Sequence, residues 1–334
     1  MTATSERTAW RSGVSRYERA STKAAALDLA TSLGAYVVLT VAMYLSREIS
    51  IWLTLALAIP TSGFLLRTFI VFHDCTHGSF LPTKRANRWV GRITGLVVFQ
   101  PFANWRHNHA VHHAGSGDLD RRGTGDVQTL TVAEYASRSW RGKLAYRLFR
   151  SPAVMFGIGP IWSLMIGPRM WTREMRPRQV HSVWLTDAAL AVLVGAIVWA
   201  VGPIAWLEVQ MPTAILAGVA GVFLFYVQHQ FEDAYWESGE QWSYSEAALK
   251  GSSYLKLPKL MQFFSGNIGL HHVHHLSAKV PNYNLQRAHD EIPLFADVPV
   301  LTFADGARAI RLKLIDTSGG RLVTWRQARR LSAV

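Results

Sequence analysis

Eleven of the chain's 13 histidines fall in four places. His73-Asp74-Cys75-Thr76-His77 sets two imidazoles at i and i+4, one face of a helix, where they can grip one metal from one side. His107-Asn108-His109-Ala110-Val111-His112-His113 contains an H-x-x-H-H core at His109, His112 and His113. Helical spacing of i, i+3 and i+4 presents those three imidazoles together. His271-His272-Val273-His274-His275 repeats the core at His271, His274 and His275, and His229 stands alone in YVQHQFED. A histidine pair arises by chance, and a lone histidine at a helix end usually only anchors it. Two H-x-x-H-H cores together with an H-x-x-x-H predict a metal site.

The donor set narrows the metal. Many imidazoles with few nearby carboxylates suit a borderline transition ion rather than calcium or magnesium. A single zinc needs three or four ligands, so this number implies two ions. Neutral imidazoles accept Fe, Zn, Cu or Ni; redox chemistry on a membrane substrate favours iron, and spacing alone leaves zinc hydrolysis open. Cys75 is the only cysteine, which excludes an intrachain disulfide and a cysteine-ligated iron–sulfur cluster of the chain's own.

The elements that hold these residues are read from hydropathy. The 334 residues are 49% hydrophobic and 17% charged, with 13 Trp and a net charge of +13; soluble domains carry about a quarter charged residues. Runs near the ~20 apolar residues that cross a bilayer predict four transmembrane helices, at 27–45, 51–72, 185–206 and 213–231. Residues 90–102 are too short to span and read as interfacial. Residues 152–168, broken by Pro and Gly, read as interfacial or re-entrant. Residues 1–26 are polar and basic, without a signal-peptide core, and read as a mobile cytosolic tail.

Charge gives the orientation. Phe80–Val180 carries 16 of the 35 Lys and Arg and His229 onward carries 12, whereas the connectors Ser46–Ser50 and Leu207–Pro212 are nearly bare. The positive-inside rule then places both termini and both large segments in the cytosol. This asymmetry explains the basicity without nucleic acid and favours anionic membrane lipids as neighbours. The expected architecture is an all-α integral membrane protein: one membrane domain, 27–334, in which four spans carry a cytosolic helical cap (73–184 and 232–334) holding a di-metal site. The expected location is the inner membrane of a bacterium.

HDCTH followed by GSF, WRHNHAVHH, and GNIGLHHVHHLSAKVPNYNL resemble the three histidine boxes of the membrane fatty acid desaturases, most closely the bacterial acyl-lipid group related to omega-6 desaturases. The likeness runs through GDLDRRGTGDVQTLTVAEY and covers roughly Arg67 to Pro293. It implies a non-haem di-iron centre, a narrow acyl tunnel, O₂ as co-substrate, and two electrons from a separate donor of ferredoxin or cytochrome b5 type. The substrate implied is an acyl lipid or acyl thioester. Carried over position by position, the ligands are His73, His77, His109, His112, His113, His271, His274 and His275, with His229 as a further ligand from the last span. His107 and His272, the extra histidines flanking the cores, are expected to support the ligating rings from behind or to be structural, and His181 and His289, outside all boxes, to be surface residues. An Asn that some animal relatives place one turn before the span-four histidine is Phe225 here.

Ligating histidines usually donate their second N–H to a carboxylate or carbonyl. Asp74, Asp118, Asp120, Asp126, Glu232 and Asp233 are the nearby candidates, and Asn267 lies close to the third box. Each also reads as a solvated loop residue. Arg67, inside the second span, needs a partner or a polar cavity, whereas Asp28 and Asp187 are expected to reach water. An unactivated methylene has no acidic proton, so a cofactor must supply the oxidant. Histidine spacing alone does not separate a desaturase from a di-iron hydroxylase or ketolase; the flanking sequence favours desaturation. A non-catalytic metal-binding or transport protein would carry its polar residues within the spans.

Overall fold

The computed structural model describes residues 10–331 other than Thr124. The helices that matter for the site are α1 (Thr22–Ser46), α2 (Ile51–His77), α3 (Lys84–Val97), α4 (Phe102–Gly115), α5 (Val132–Ser137), α6 (Trp140–Phe149), α7 (Pro177–Val201), α8 (Pro203–His229), α9 (Tyr244–Lys250), α10 (Lys259–Phe264), α11 (His271–Leu276) and α12 (Asn282–Glu291). Four of these, α1, α2, α7 and α8, are long and apolar enough to cross a membrane. Two small sheets accompany the helices. Tyr254–Leu255 (β1) pairs in parallel with Val300–Leu301 (β2), and Leu312–Asp316 (β3) pairs antiparallel with Arg321–Thr324 (β4).

Local chemistry sets the helix ends. Ser21 Oγ accepts the Ala24 N–H at 3.3 Å and starts α1 five residues before the expected Leu27. Ser50 Oγ accepts the Trp52 N–H and starts α2. That helix runs without a break through the first histidine box and stops at Gly78, whose φ of 74° is the usual left-handed helix terminator.

The third and fourth spans differ from expectation. Gly202, at φ 85°, ends α7, and Pro203 opens α8 directly. The expected span 185–206 therefore straddles this break, and the expected connector Leu207–Pro212 is helix. Hydropathy does not see the break because both flanks are apolar; Pro at the first helical position and Gly before it are what mark it. Pro212 sits inside α8, which membrane helices tolerate.

The expected tail at 1–26 is also corrected, with residues 1–9 lying outside the described part. Val14 and Tyr17 are fully buried, and Tyr17 donates its hydroxyl proton to Glu291 Oε2 at 2.6 Å, which docks this basic stretch on α12. Asp28 does not reach water. It is buried and paired with Arg67, whose guanidinium also donates to the Phe263 carbonyl and lies over the Phe263 ring. Asp187 pairs with Arg169 at 2.8 Å. Residues 153–169 form a distorted helix, bent 52° from α6.

One apolar core ties the box-bearing elements together. Ile70 of α2, Leu224 and Val227 of α8, Leu270 and Val273 at α11, and Leu285 of α12 pack in a single buried cluster. A second core joins Val71, Phe72 and Cys75 of α2 to Phe102 of α4. These cores fix the ends of α2 and α8 against the two short histidine helices.

Candidate metal centre

The nine histidines expected as ligands converge in two groups. His73, His77, His109, His113 and His274 form one; His112, His229, His271 and His275 form the other. Within each group the ligand atoms lie within 4.8 Å of one another.

The H-x-x-H-H cores do not each serve one group. An α-helix turns about 100° per residue, so His109 and His113 share a line on α4 while His112 is turned away from His113. The first two face group one and His112 faces group two. In α11 the pattern reverses: His271 and His275 face group two, and His274 faces group one. Each core therefore presents its three imidazoles to the site, as expected, but divides them between the two groups. The groups meet where the His113 and His275 rings stack, 4.2 Å between centroids.

Nitrogen positions fit ions at both centres. In group one, Nε2 of His109 lies 3.0 Å from His73 Nε2 and 3.1 Å from His113 Nε2, which is 3.0 Å from His274 Nε2. In group two, His229 Nε2 and His271 Nε2 are 3.0 Å apart. The Nε2 atoms of His77, His112 and His275 are buried with no hydrogen-bond partner. Metal–imidazole bonds of about 2.1 Å set neighbouring donors roughly 3 Å apart around one ion, so the spacing and the orphaned nitrogens both suit cations. Burial, reinforced by neighbouring imidazoles, holds His109, His113, His271, His274 and His275 well below the ordinary histidine pKa. They are neutral at pH 7, the form that ligates.

Partners behind the rings orient them. His73 Nδ1 donates to Asp74 Oδ1 at 2.9 Å, and Asp74 Oδ2 accepts the Asn282 N–H at 2.7 Å. His112 Nδ1 is bonded to Asp126 Oδ1. His229 Nδ1 donates to the Gly251 carbonyl at 3.2 Å. In each case Nε2 is left for the centre. Gly125, at φ 74°, lets the Asp126 loop approach: a Cβ there would lie 2.9 Å from His112 Cβ.

Asn267 acts on the backbone instead. It adopts φ 60°, its carbonyl accepts the Leu270 N–H at 2.9 Å, and its amide donates to the Asn282 carbonyl at 3.1 Å, closing the turn that delivers α11. Asn tolerates this left-handed conformation better than most residues.

Other expected residues stand elsewhere. Asp120, Glu232 and Asp233 are exposed, and Asp118 is buried against Arg121. His107 is half-buried on α4 outside both groups, and His181 is exposed. His272 is fully buried, faces away from the centre, and meets His289 Nδ1 at 3.0 Å; burial pushes its pKa down to about 3. His289 is thus half-buried and paired, not a surface histidine.

Three contributors were not foreseen. Trp105 stacks on His109 at 4.3 Å and is four residues before it, so helical spacing could have found it. Tyr244 donates to the His275 carbonyl at 2.6 Å. Asn282 lies 208 residues from the Asp74 it binds, and no local pattern announces that contact.

An apolar cavity of about 510 Å³ reaches the groups. His73, His109 and His271 line its upper end with Phe69 and Trp105; it descends along α8 to Gln210 and Trp206. Its volume falls in the range of small-molecule sites.

Comparison with known proteins agrees with this architecture. The family model described as fatty acid desaturase matches residues 50–303. A fatty acid desaturase of Bacillus subtilis (strain 168) is 44% identical over 313 residues, 94% of this chain and 89% of that one. A Synechocystis protein named sn-1 acyl-lipid omega-3 desaturase (ferredoxin) is 28% identical, over 67% of this chain and 63% of its own length. An Anabaena variabilis sn-1 oleoyl-lipid 12-desaturase is 27% identical, over 75% and 71%. The chain belongs to the fatty acid desaturase family and is an oxidoreductase of that class.

Proposed function

We propose that the chain desaturates a fatty acyl chain of a membrane lipid with dioxygen, and that its two histidine groups each hold one iron ion. His73, His77, His109, His113 and His274 would hold the first, and His112, His229, His271 and His275 the second. Two bound irons supply the oxidising power, drawn from O₂, that a methylene pair requires. The acyl chain gives up two hydrogens, O₂ leaves as two waters, and the remaining two electrons and two protons come from outside. The reductant is a separate protein of ferredoxin or cytochrome b5 type, a reading supported by the Synechocystis relative that is named for ferredoxin.

One observation carries this reading: both groups gather at one end of an apolar cavity, with His73, His109 and His271 forming part of its wall. The chain's own residues do the positioning. Phe69, Trp105 and Phe225 line that end and exclude water, and Asp74 and Asp126 fix the tilt of His73 and His112. The basic segments on either side of the spans support an orientation with both termini and the histidine groups facing the cytosol of a bacterium.

The test is a fatty acid profile of a bacterial host expressing the chain, beside His112→Ala and His274→Ala at matched expression, with iron counted in the purified proteins. New unsaturated acyl chains that vanish in both variants are expected, with iron near two per chain in the parent. Hydroxy acids instead would overturn desaturation and leave the metal assignment standing. Absence of iron would sink the di-iron reading.

A further inference from the structure

Leu66 and Ile70 of α2 and Ala217 and Leu224 of α8 line the cavity and are buried. Between α8 and the segment 153–169 the lining residues come to the surface: Gly157, Ile161 and Ser163 of that segment, and Ile215 of α8, are exposed although they line the cavity. The far end is closed by a polar contact in which Tyr36 donates to Gln210 Oε1 at 3.1 Å.

The segment that forms this wall is one helix thick and irregular. Val154–Ile158 and Ile161–Ile166 are π-helical turns, a rare geometry that is common at functional sites. Ile158, Trp162 and Ile166 point outward, an apolar face with nothing polar to meet water. The wall is held at its end, where the Gln100 amide donates to the Leu164 carbonyl at 3.2 Å and Arg169 donates to the Phe99 carbonyl at 2.7 Å. Its first turns are packed on α8, where Phe156 meets the rings of Phe223 and Tyr226; beyond them Pro160 and Leu164 rest on the small Gly218, whose Cβ would lie 3.0 Å from Pro160.

Depth identifies what faces the opening. Ile215 is 14 residues before His229 (229 − 215) in one continuous helix, about 21 Å along its axis. The hydrocarbon core is about 30 Å thick, so a seam between α8 and 153–169 at that level opens on lipid chains. At the opposite, polar end His73, His109, His271 and Trp105 line the cavity beside the exposed backbone of Gly125, with no apolar surface there to meet lipid.

Building on the function proposed above, we propose that the substrate acyl chain enters sideways from the hydrocarbon, through the seam between α8 and residues 153–169, while still joined to its lipid. The occupant is thus a glycerolipid acyl chain already in the bilayer. It lies alongside α8 with its methyl end toward Gln210 and its head group left at the interface.

The experiment uses the iron-loaded full chain in phosphatidylglycerol vesicles doped with phosphatidylglycerol that bears a diazirine near the acyl methyl end. After photolysis, adducts are mapped by peptide mass spectrometry. Labelling is expected at Ile161, Ser163 and Ile215, and deeper at Tyr36 and Gln210, where the methyl end lies. Ser163→Trp with Ile215→Trp should lower the deep adducts by about tenfold or more, the scale of misfit in an apolar site. Ile161→Ala, which widens the seam, should raise their rate, a gain that misfolding cannot mimic. Deep adducts unchanged in both variants would overturn the route, as would deep labelling obtained only from a water-soluble acyl thioester carrying the same diazirine. The function itself is read separately, from the lipid extract of unlabelled vesicles given O₂ and a reductant. No unsaturated product there would sink desaturation while the adduct map still decided the route.

Discussion

Asp126 shows how much of this site lies behind the histidines. Its carboxylate fixes His112, the one residue of the second box that crosses to the other group. Loss of such a partner typically lowers metal affinity 10- to 100-fold. Asp126→Ala should therefore weaken one of two metal sites by about that range, read by iron titration of the chelated protein, while the other site titrates as before. Equal weakening of both would mean that the two groups act as one. The sequence named Asp126 as one of six acids, and nothing in the pattern separated it from the exposed Asp120. What separates them is the loop path set by Gly125, whose positive φ brings Asp126, and not Asp120, onto His112.

At the scale of elements, the ion pair between Asp28 and Arg67 binds α1 to α2, and Arg67 carries the tie on to α10 through the Phe263 carbonyl. Hydropathy flagged Arg67 as needing a partner but placed Asp28 at a span end in water, because the helix was taken to start at Leu27. The Ser21 cap draws the start back to Thr22 and carries Asp28 to a buried position facing α2. Removing one member of a buried pair strands the other charge, at a cost of about 3–5 kcal/mol. Arg67→Met and Asp28→Leu should each lower the thermal midpoint in detergent, and the double variant should recover much of the loss. A double variant as unstable as the sum of the two would show that the pair has no coupling. Gly266→Ala should also destabilise. It sits at φ 54°, and a Cβ would stand 2.9 Å from an Ile70 methyl, so the turn into α11 would have to shift.

For the whole molecule, the neutral histidine cluster makes stability depend on pH. The folded-state pKa values of His109, His113, His271, His274 and His275 lie well below 6.5, so the unfolded chain binds more protons wherever pH drops under that value. The stability that these histidines lend the metal-free protein is present well above pH 6.5, and it is lost as pH decreases toward the depressed folded values. Unfolding midpoints of chelated protein between pH 7.5 and 5.5 check this; a flat profile would mean that the cluster opens to water without metal. Bound iron should raise the midpoint at every pH, and chelation should reverse the gain.

Histidine spacing, hydropathy and the distribution of basic residues by themselves pointed to a site able to hold metal and to about where the four long helices run, and the resemblance to desaturases added His229 to the eight box histidines that the structure gathers with it. These are local properties: ligand type, apolar run length and charge are written residue by residue. Tertiary structure decided how the nine divide, because the division depends on the azimuth at which α4 and α11 meet α2 and α8. It also decided the Gly202 break, the burial of Val14 and Tyr17 with the tie of Tyr17 to α12, the pairing of His272 with His289, and the seam beside Ile215. Each of these is a contact between residues far apart in the chain or a change of backbone direction within uniformly apolar sequence, and neither leaves a periodic trace for a linear reading to find.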